Sequence, residues 1–173
     1  RHHSAHAESR HTVPGPGREA IVRARMAADI RDFETLMALE PIGDDAFRGH
    51  SPTYPWGRVY GGQVVAQALR AATSTVPVDR FVHSLHAYFI RGGDSDLPIR
   101  YAVERVRDGG SFCLRSVEAS QSGATLMRLT ASFQIDESAS EADVQETALP
   151  SGLPGPDALP DVAWGPILER RRI

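Results

Sequence analysis

From Gly61 to Thr75 the sequence reads Gly-Gly-Gln-Val-Val-Ala-Gln-Ala-Leu-Arg-Ala-Ala-Thr-Ser-Thr, with Pro77 just beyond. Two glycines open the segment, and a residue without a backbone N–H closes it, as a single helix requires. At 100° per residue Val64, Val65, Ala68, Leu69 and Ala72 gather on one side, and Gln63, Gln67, Arg70 and Ser74 form a narrow stripe opposite. Alanines at 66, 68, 71 and 72 keep the helix thin, which suits one that a sheet must wrap closely. Four strand-like runs follow, at 82–90, 98–107, 111–121 and 124–135. The last alternates Thr125, Met127, Leu129, Ala131, Phe133 and Ile135 with polar residues. Asp108-Gly109-Gly110 signals a hairpin and Ser122-Gly123 a tight turn, so the runs read as antiparallel neighbours. One thin helix followed by a β-meander is an α+β arrangement.

The flanks are less regular. Asp32 can cap a short helix carrying Phe33, Leu36, Met37 and Leu39 at helical spacing, with Pro41 past its end; this reads as a lid or entry element. Residues 42–58 run extended to Phe47-Arg48-Gly49 and then through an ordered loop, Ser51-Pro52-Thr53-Tyr54-Pro55-Trp56-Gly57. Residues 1–25 are rich in Arg and His, include Glu8 and Glu19, and lack an apolar signal core, so they read as a disordered arm or non-native extension. Met26 reads as a natural start, and residues 26–137 as the domain. Residues 138–173 turn acidic and then Pro/Gly-rich, the composition of a linker toward a further domain.

A net charge of −3 offers no basic field for phosphates, so nucleic acid is not an expected partner. The single cysteine, Cys113, excludes an internal disulfide, and no apolar run approaches the ~20 residues of a membrane-spanning helix. A cytoplasmic protein without membrane attachment is the expectation.

Four motifs then carry a specific resemblance. Val59-Tyr60-Gly61-Gly62-Gln63-Val64-Val65-Ala66-Gln67-Ala68-Leu69, Val82-His83-Ser84-Leu85-His86-Ala87-Tyr88-Phe89, Val103-Glu104-Arg105-Val106-Arg107-Asp108-Gly109-Gly110-Ser111-Phe112 and Thr130-Ala131-Ser132-Phe133-Gln134 occur in order. Together they resemble the N-terminal half of acyl-CoA thioesterase II. The likeness also takes in Phe47-Arg48-Gly49 and Pro156-Asp157-Ala158-Leu159-Pro160. It implies a hotdog fold, hydrolysis of fatty acyl-CoA to free fatty acid and CoA, and no metal or other cofactor. It also implies a second hotdog domain, which carries the family's catalytic Asp, Ser or Thr, and Gln, so no residue here inherits a catalytic role. Where the family usually has Arg-Pro-Gly-Asp, this chain has Arg91-Gly92-Gly93-Asp94, a softer turn of equal length.

Thioester hydrolysis needs donors for a developing oxyanion and a channel for the acyl chain. Gly61 and Gly62 can present backbone N–H groups at the positive end of a helix, without Cβ interference; equally, they can serve only close packing. Gln63 and Gln67 can line the cleft, or belong to a solvated or partner-facing stripe. His83 and His86, three apart on a strand, are expected on opposite faces, which rules out a shared metal. His86, on the face of Ser84 and Tyr88, can border the cleft or be structural. Gly93-Asp94-Ser95 imitates an esterase nucleophile block but precedes a strand, so it reads as a turn. Cys113 sits mid-strand with no neighbour to activate it. Glu104 and Asp108 read as surface or turn residues. The candidate substrate-binding set is therefore Gly61, Gly62, Gln63, Gln67 and His86. The alternative is a non-catalytic hotdog module that binds acyl-CoA or a partner hotdog, either a second domain or a second copy.

Overall fold

The structure is a computed structural model that describes residues 30–136, 147–148, 150–163, 167 and 169–171. The expectations for residues 1–25, the start at Met26 and the acidic stretch 138–146 lie outside the described residues. The elements in chain order are α1 (Phe33–Met37), β1 (Glu40–Gly43), β2 (Ala46–Gly49), α2 (Gly61–Thr73), β3 (Arg80–Phe89), β4 (Ile99–Asp108), β5 (Phe112–Gln121) and β6 (Ala124–Ile135). After them come a 3₁₀ turn (Pro156–Ala158), β7 (Asp161–Ala163) and β8 (Glu169–Arg171).

Local chemistry explains most of these limits. Asp32 accepts a hydrogen bond from the Thr35 backbone N–H at 2.7 Å and so caps α1. Ser122 and Gly123 have φ of 48° and 79°, the double positive that a two-residue hairpin turn demands. At the β4–β5 hairpin the Gly109 N–H donates to the Phe112 carbonyl, and a Cβ at Gly109 would lie 2.9 Å from that oxygen. Upstream, the extended piece turns out to be a β1–β2 hairpin reversing at Asp45, whose φ is 49°. Pro41 is tolerated because β1 ends the sheet, where no ladder hydrogen bond is lost.

Six strands form one sheet in the order β1-β2-β4-β5-β6-β3, with every pairing antiparallel. The meander holds for β4, β5 and β6. β3 departs from it: it pairs with β6, not with its sequence neighbour β4, and forms the far edge. The turn after β3 thus carries the chain across the sheet. No periodicity within a strand encodes that choice, because alternation sets faces and not partners.

The inner sheet face wraps α2. Ile99, Tyr101, Val103, Cys113, Val117, Ala119, Met127, Leu129, Ala131 and Phe133 pack with Val64, Ala68, Ala71 and Ala72. Ala68, Ala71 and Ala72 have no exposed surface, which is the reason for a thin helix. Segment 138–173, expected as a linker, includes the short β7–β8 ribbon, its registers running Asp161↔Arg171 to Ala163↔Glu169.

One charged side chain belongs to this interior. Arg115, on the inner face of β5, is fully buried. Its Nε donates to Thr75 Oγ1 at 2.8 Å, Nη1 to the carbonyls of Arg107 and Leu114, and Nη2 to the Thr75 carbonyl at 2.9 Å and to Asp108 at 2.5 Å. A cation here faces the negative end of the α2 dipole and joins that end to the β4–β5 hairpin. The Arg115 hydrogen bond holds the Asp108 carboxyl below the usual carboxylate range. Its contribution to stability is therefore present above the ordinary carboxylate pKa and lost as pH falls through the lowered one. Arg115→Met should lower the unfolding free energy in urea by about 2–3 kcal/mol, since it strands buried acceptors. Asp108→Asn should cause a much smaller loss, because Asp108 is half exposed.

Candidate functional site

The opening of α2 lies where the inner face meets the open sheet edge. Its N-cap is Tyr60, extended at φ −70° and ψ 127°, with no side-chain hydrogen bond to the first turn. The Gln63 and Val64 N–H groups reach the Tyr60 carbonyl at 3.1 and 3.3 Å. The Gly61 and Gly62 N–H groups precede them and have no intrahelical acceptor. An aromatic ring crowds each glycine. A Cβ on Gly61 would sit 3.2 Å from the Phe89 ring, and one on Gly62 would sit 2.5 Å from the Tyr60 ring. Phe89 closes β3 and is 58% exposed, so the opening is framed by an aromatic side chain of the edge strand.

The approach to the helix is held by the turn after β3. The backbones of Arg58 and Asp94 form an isolated antiparallel β-bridge, and the Val59 N–H donates to the Gly93 carbonyl at 3.0 Å. Gln121, buried, accepts from the Asp94 N–H and donates to the carbonyls of Asp94 and Leu97. Gly93-Asp94-Ser95 is thus an anchored turn, with Ser95 buried.

Gln63 and Gln67 are neither solvated nor open to a ligand: their exposures are 2% and 0%. Gln63 accepts from the Tyr54 hydroxyl at 2.9 Å and donates to Ser51 Oγ at 2.8 Å and to the His50 carbonyl at 3.0 Å. Gln67 accepts from the Tyr101 hydroxyl at 2.7 Å and donates to the carbonyls of Leu36 at 2.6 Å and His50 at 3.1 Å. Both amides are used in full, stitching α1 and the 50–54 loop onto α2. The remaining stripe members, Arg70 and Ser74, are exposed.

His86 is not brought to the glycines. Across the β3–β6 ladder it faces Thr130, whereas Ala87 faces buried Leu129 and Phe89 faces buried Met127. His86 therefore lies on the outer face, its ring 4.5 Å from that of Tyr88, while α2 packs on the inner one. The two histidines also share a face, contrary to strict alternation. The ladder shifts register between Val82 and Ser84, and His83 meets the outer-face Ser132 Oγ at 2.8 Å. A bulge resets the alternation, and nothing in the local sequence announces it. Among the described residues no cluster of three or more metal-ligating side chains occurs.

The sequence reading missed the partners that fix this site, Tyr54 and Tyr101. Burial raises the Tyr54 phenol to about 12 and pushes Tyr101 well above its ordinary value, so both remain neutral donors to the glutamines. Only the polar stripe itself was visible in the sequence, since nothing local shows that tyrosines and not water satisfy it. The carboxylates with displaced acidity are all lowered: Asp32 by the Thr35 N–H, Asp45 by Arg105 and Asp108 by Arg115. None of these is poised as a general base. The arrangement can polarise or hold a carbonyl oxygen at the helix opening, beside the Tyr60 hydroxyl.

Two measurements test the network. Gln67→Met should cost about 2–3 kcal/mol in urea unfolding and raise hydrogen exchange in α1, because buried hydroxyl and carbonyl partners lose their bonds. A raised phenol pKa confers stability that is complete below pH ~10 and lost as pH climbs through the folded value. Phenolate absorbance of the folded chain should accordingly lag behind that of the urea-unfolded chain between pH 10 and about 12.

Comparison with known proteins agrees with this geometry. Residues 50–134 match the acyl-CoA thioesterase N-terminal domain. The chain is 45% identical to human acyl-coenzyme A thioesterase 8 over 86% of its own length and 46% of that protein's. It is 50% identical to acyl-CoA thioesterase 2 of Haemophilus influenzae over 59% of its length and 36% of that protein's. It spans less than half of the curated relatives it matches. Among solved structures, the TesB protein of Mycobacterium avium subspecies paratuberculosis superposes with a TM-score of 0.64 at 33% identity, over 73% of this chain and 48% of that one. Acyl-CoA thioesterase II from Mycobacterium marinum gives 0.59 at 38%, over 70% and 45%. With the helix, the wrapped sheet and these matches in agreement, the chain belongs to the acyl-CoA thioesterase II family and its folded domain is that family's N-terminal hotdog.

Proposed function

We propose that this chain is the N-terminal half of an acyl-CoA thioesterase that hydrolyses fatty acyl-CoA to free fatty acid and CoA. In this reading Gly61 and Gly62 hold the thioester carbonyl with their N–H groups, and the attacking machinery belongs to a second hotdog domain docked along β3. Gln63 and Gln67 act at one remove, by fixing the helix on which those glycines sit. His86, on the outer face, contributes to neither. Residues 26–137 are the domain, and the segment beyond is the connection to its partner.

The observation that carries the proposal is the edge. β3 is ten residues long and, among the described residues, has no strand on its outer side, and the inner-face side chains Val82, Leu85 and Phe89 are 40–58% exposed. β1, the opposite edge, is four residues long and contains a proline. A long apolar edge invites another strand, whereas a short proline-bearing one resists it. The helix opening lies beside the long edge, so a second sheet added there would complete both the sheet and the cleft.

The non-catalytic module differs in one respect, binding without turnover. Thiol release from a chain-length series of acyl-CoAs separates the two. The purified chain alone should release no thiol, and the chain joined to a second hotdog of this family should. Leu85→Lys on β3 should abolish association with a separately purified second hotdog, as seen by sedimentation, and the turnover of that mixture with it. Turnover by the isolated chain would overturn the division of labour, and binding without turnover in the joined form would favour the module.

A further inference from the structure

A cavity of about 370 Å³ lies on the sheet face opposite α2, between the β1–β2 hairpin and the β5–β6 turn. The ladder explains its polar lining. Ile99 and Tyr101 are buried on the inner face, so Arg100 between them points outward. Its cross-strand partners are Arg48 of β2 and Ser120 of β5, which sets two guanidinium groups and a hydroxyl in one row across three strands. Glu118 and Ser122 complete the polar lining, and Ile42 and Pro98 form apolar rims. Arg48 pairs with Glu40 at 3.1 Å and Glu118 with Arg128, whereas Arg100 makes no hydrogen bond or ion pair among the described residues. Arg48, Arg100 and Arg128 outnumber Glu40 and Glu118, and the unmatched charge is that of Arg100. Ser120 is only 7% exposed, yet its hydroxyl makes no hydrogen bond to another described residue. A buried hydroxyl without a partner is unfavourable, as are like charges directly opposite on a ladder. One anion held between Arg48, Arg100 and Ser120 relieves both.

We propose that this cavity binds a small phosphomonoester, its phosphate oxygens meeting Arg100, the Ser120 hydroxyl and the Arg48 N–H groups that Glu40 leaves unused. A guanidinium carries several donors, so one ion pair does not exhaust Arg48. Phosphate presents three strong acceptor oxygens to these three separate donors, and a carboxylate only two. The volume of about 370 Å³ holds on the order of a dozen groups of water size, at ~30 Å³ each, which leaves room for a short polyol beyond the phosphate. Glu118 accepts hydrogen bonds from the hydroxyl groups of such an ester and disfavours a second anionic group beside them. The site faces away from α2 and does not depend on the acyl-CoA reading.

Glycerol 3-phosphate, titrated by calorimetry into the full chain at constant ionic strength, tests this. It should bind about tenfold more tightly than glycerate, its carboxylate counterpart, and more tightly than inorganic phosphate. Arg100→Gln and Ser120→Ala should each weaken it about tenfold, the loss of one hydrogen bond to a charged group, with circular dichroism confirming the fold of both variants. Arg107→Gln, which removes an exposed arginine outside the cavity, should leave the affinity unchanged. An equal loss in Arg107→Gln would trace binding to the general charge of the surface and overturn the site. The absence of saturable binding, or binding that neither Arg100→Gln nor Ser120→Ala weakens, overturns it as well. Glycerate or inorganic phosphate binding as tightly as the ester overturns the assignment to a phosphomonoester.

Discussion

A helix that turns part of its polar stripe into the protein must have that part satisfied from inside. In this domain Gln67 meets that demand, with Tyr101 of β4, the carbonyl of Leu36 in α1 and the carbonyl of His50 all bonded to one amide. Gln63 repeats the pattern one turn earlier with Tyr54, Ser51 and His50. The space for it is itself specified: a Cβ on Gly49 would fall 2.7 Å from Gln67 Oε1 and 3.0 Å from the Tyr101 ring. Phe47-Arg48-Gly49 is thus part of the helix environment, although it lies on a different element. An amide carries both donors and an acceptor, which is why glutamine suits a junction of hydroxyls and carbonyls better than any charged side chain.

The two ends of α2 are treated in opposite ways. At the C-terminal end Arg115 supplies a positive charge and five N–H donors to carbonyls, a hydroxyl and a carboxylate, closing that end against the sheet. At the N-terminal end the N-cap residue Tyr60 gives no side-chain hydrogen bond to the first turn, and the two glycines there lie against the Tyr60 and Phe89 rings. The uncapped helix end therefore lies at an open sheet edge. The exposed inner side chains of β3 lie along the same edge. In the proposed reading, a second sheet and a thioester are received on one side of the molecule.

Several features were legible in the sequence because they are local. The extent of α2, the Asp32 cap, the Ser122-Gly123 turn and the strands β4 to β6 follow from propensity, capping chemistry and alternation. The apolar side of α2 packs on the sheet as its pattern requires. The four motifs also led to the family, because they preserve the residues a wrapped helix and its opening need. The β1–β2 hairpin was less visible, since both strands are only four residues long and one contains Pro41.

What the sequence by itself determined was the inventory: a thin helix with two glycines at its start, strands with one apolar face, and turns that link them. Tertiary structure alone decided how the pieces meet. It paired β3 with β6 and so created the long edge; it bulged β3 at Val82–Ser84 and so put both histidines on the outer face. It also turned Gln63 and Gln67 inward, a choice that amphipathic periodicity cannot make, because a polar stripe looks the same whether water or buried tyrosines will satisfy it. Hydrogen bonds between residues 34 positions apart, such as Tyr101 to Gln67, leave no mark on any local window of sequence, and on them rests the position of the helix opening.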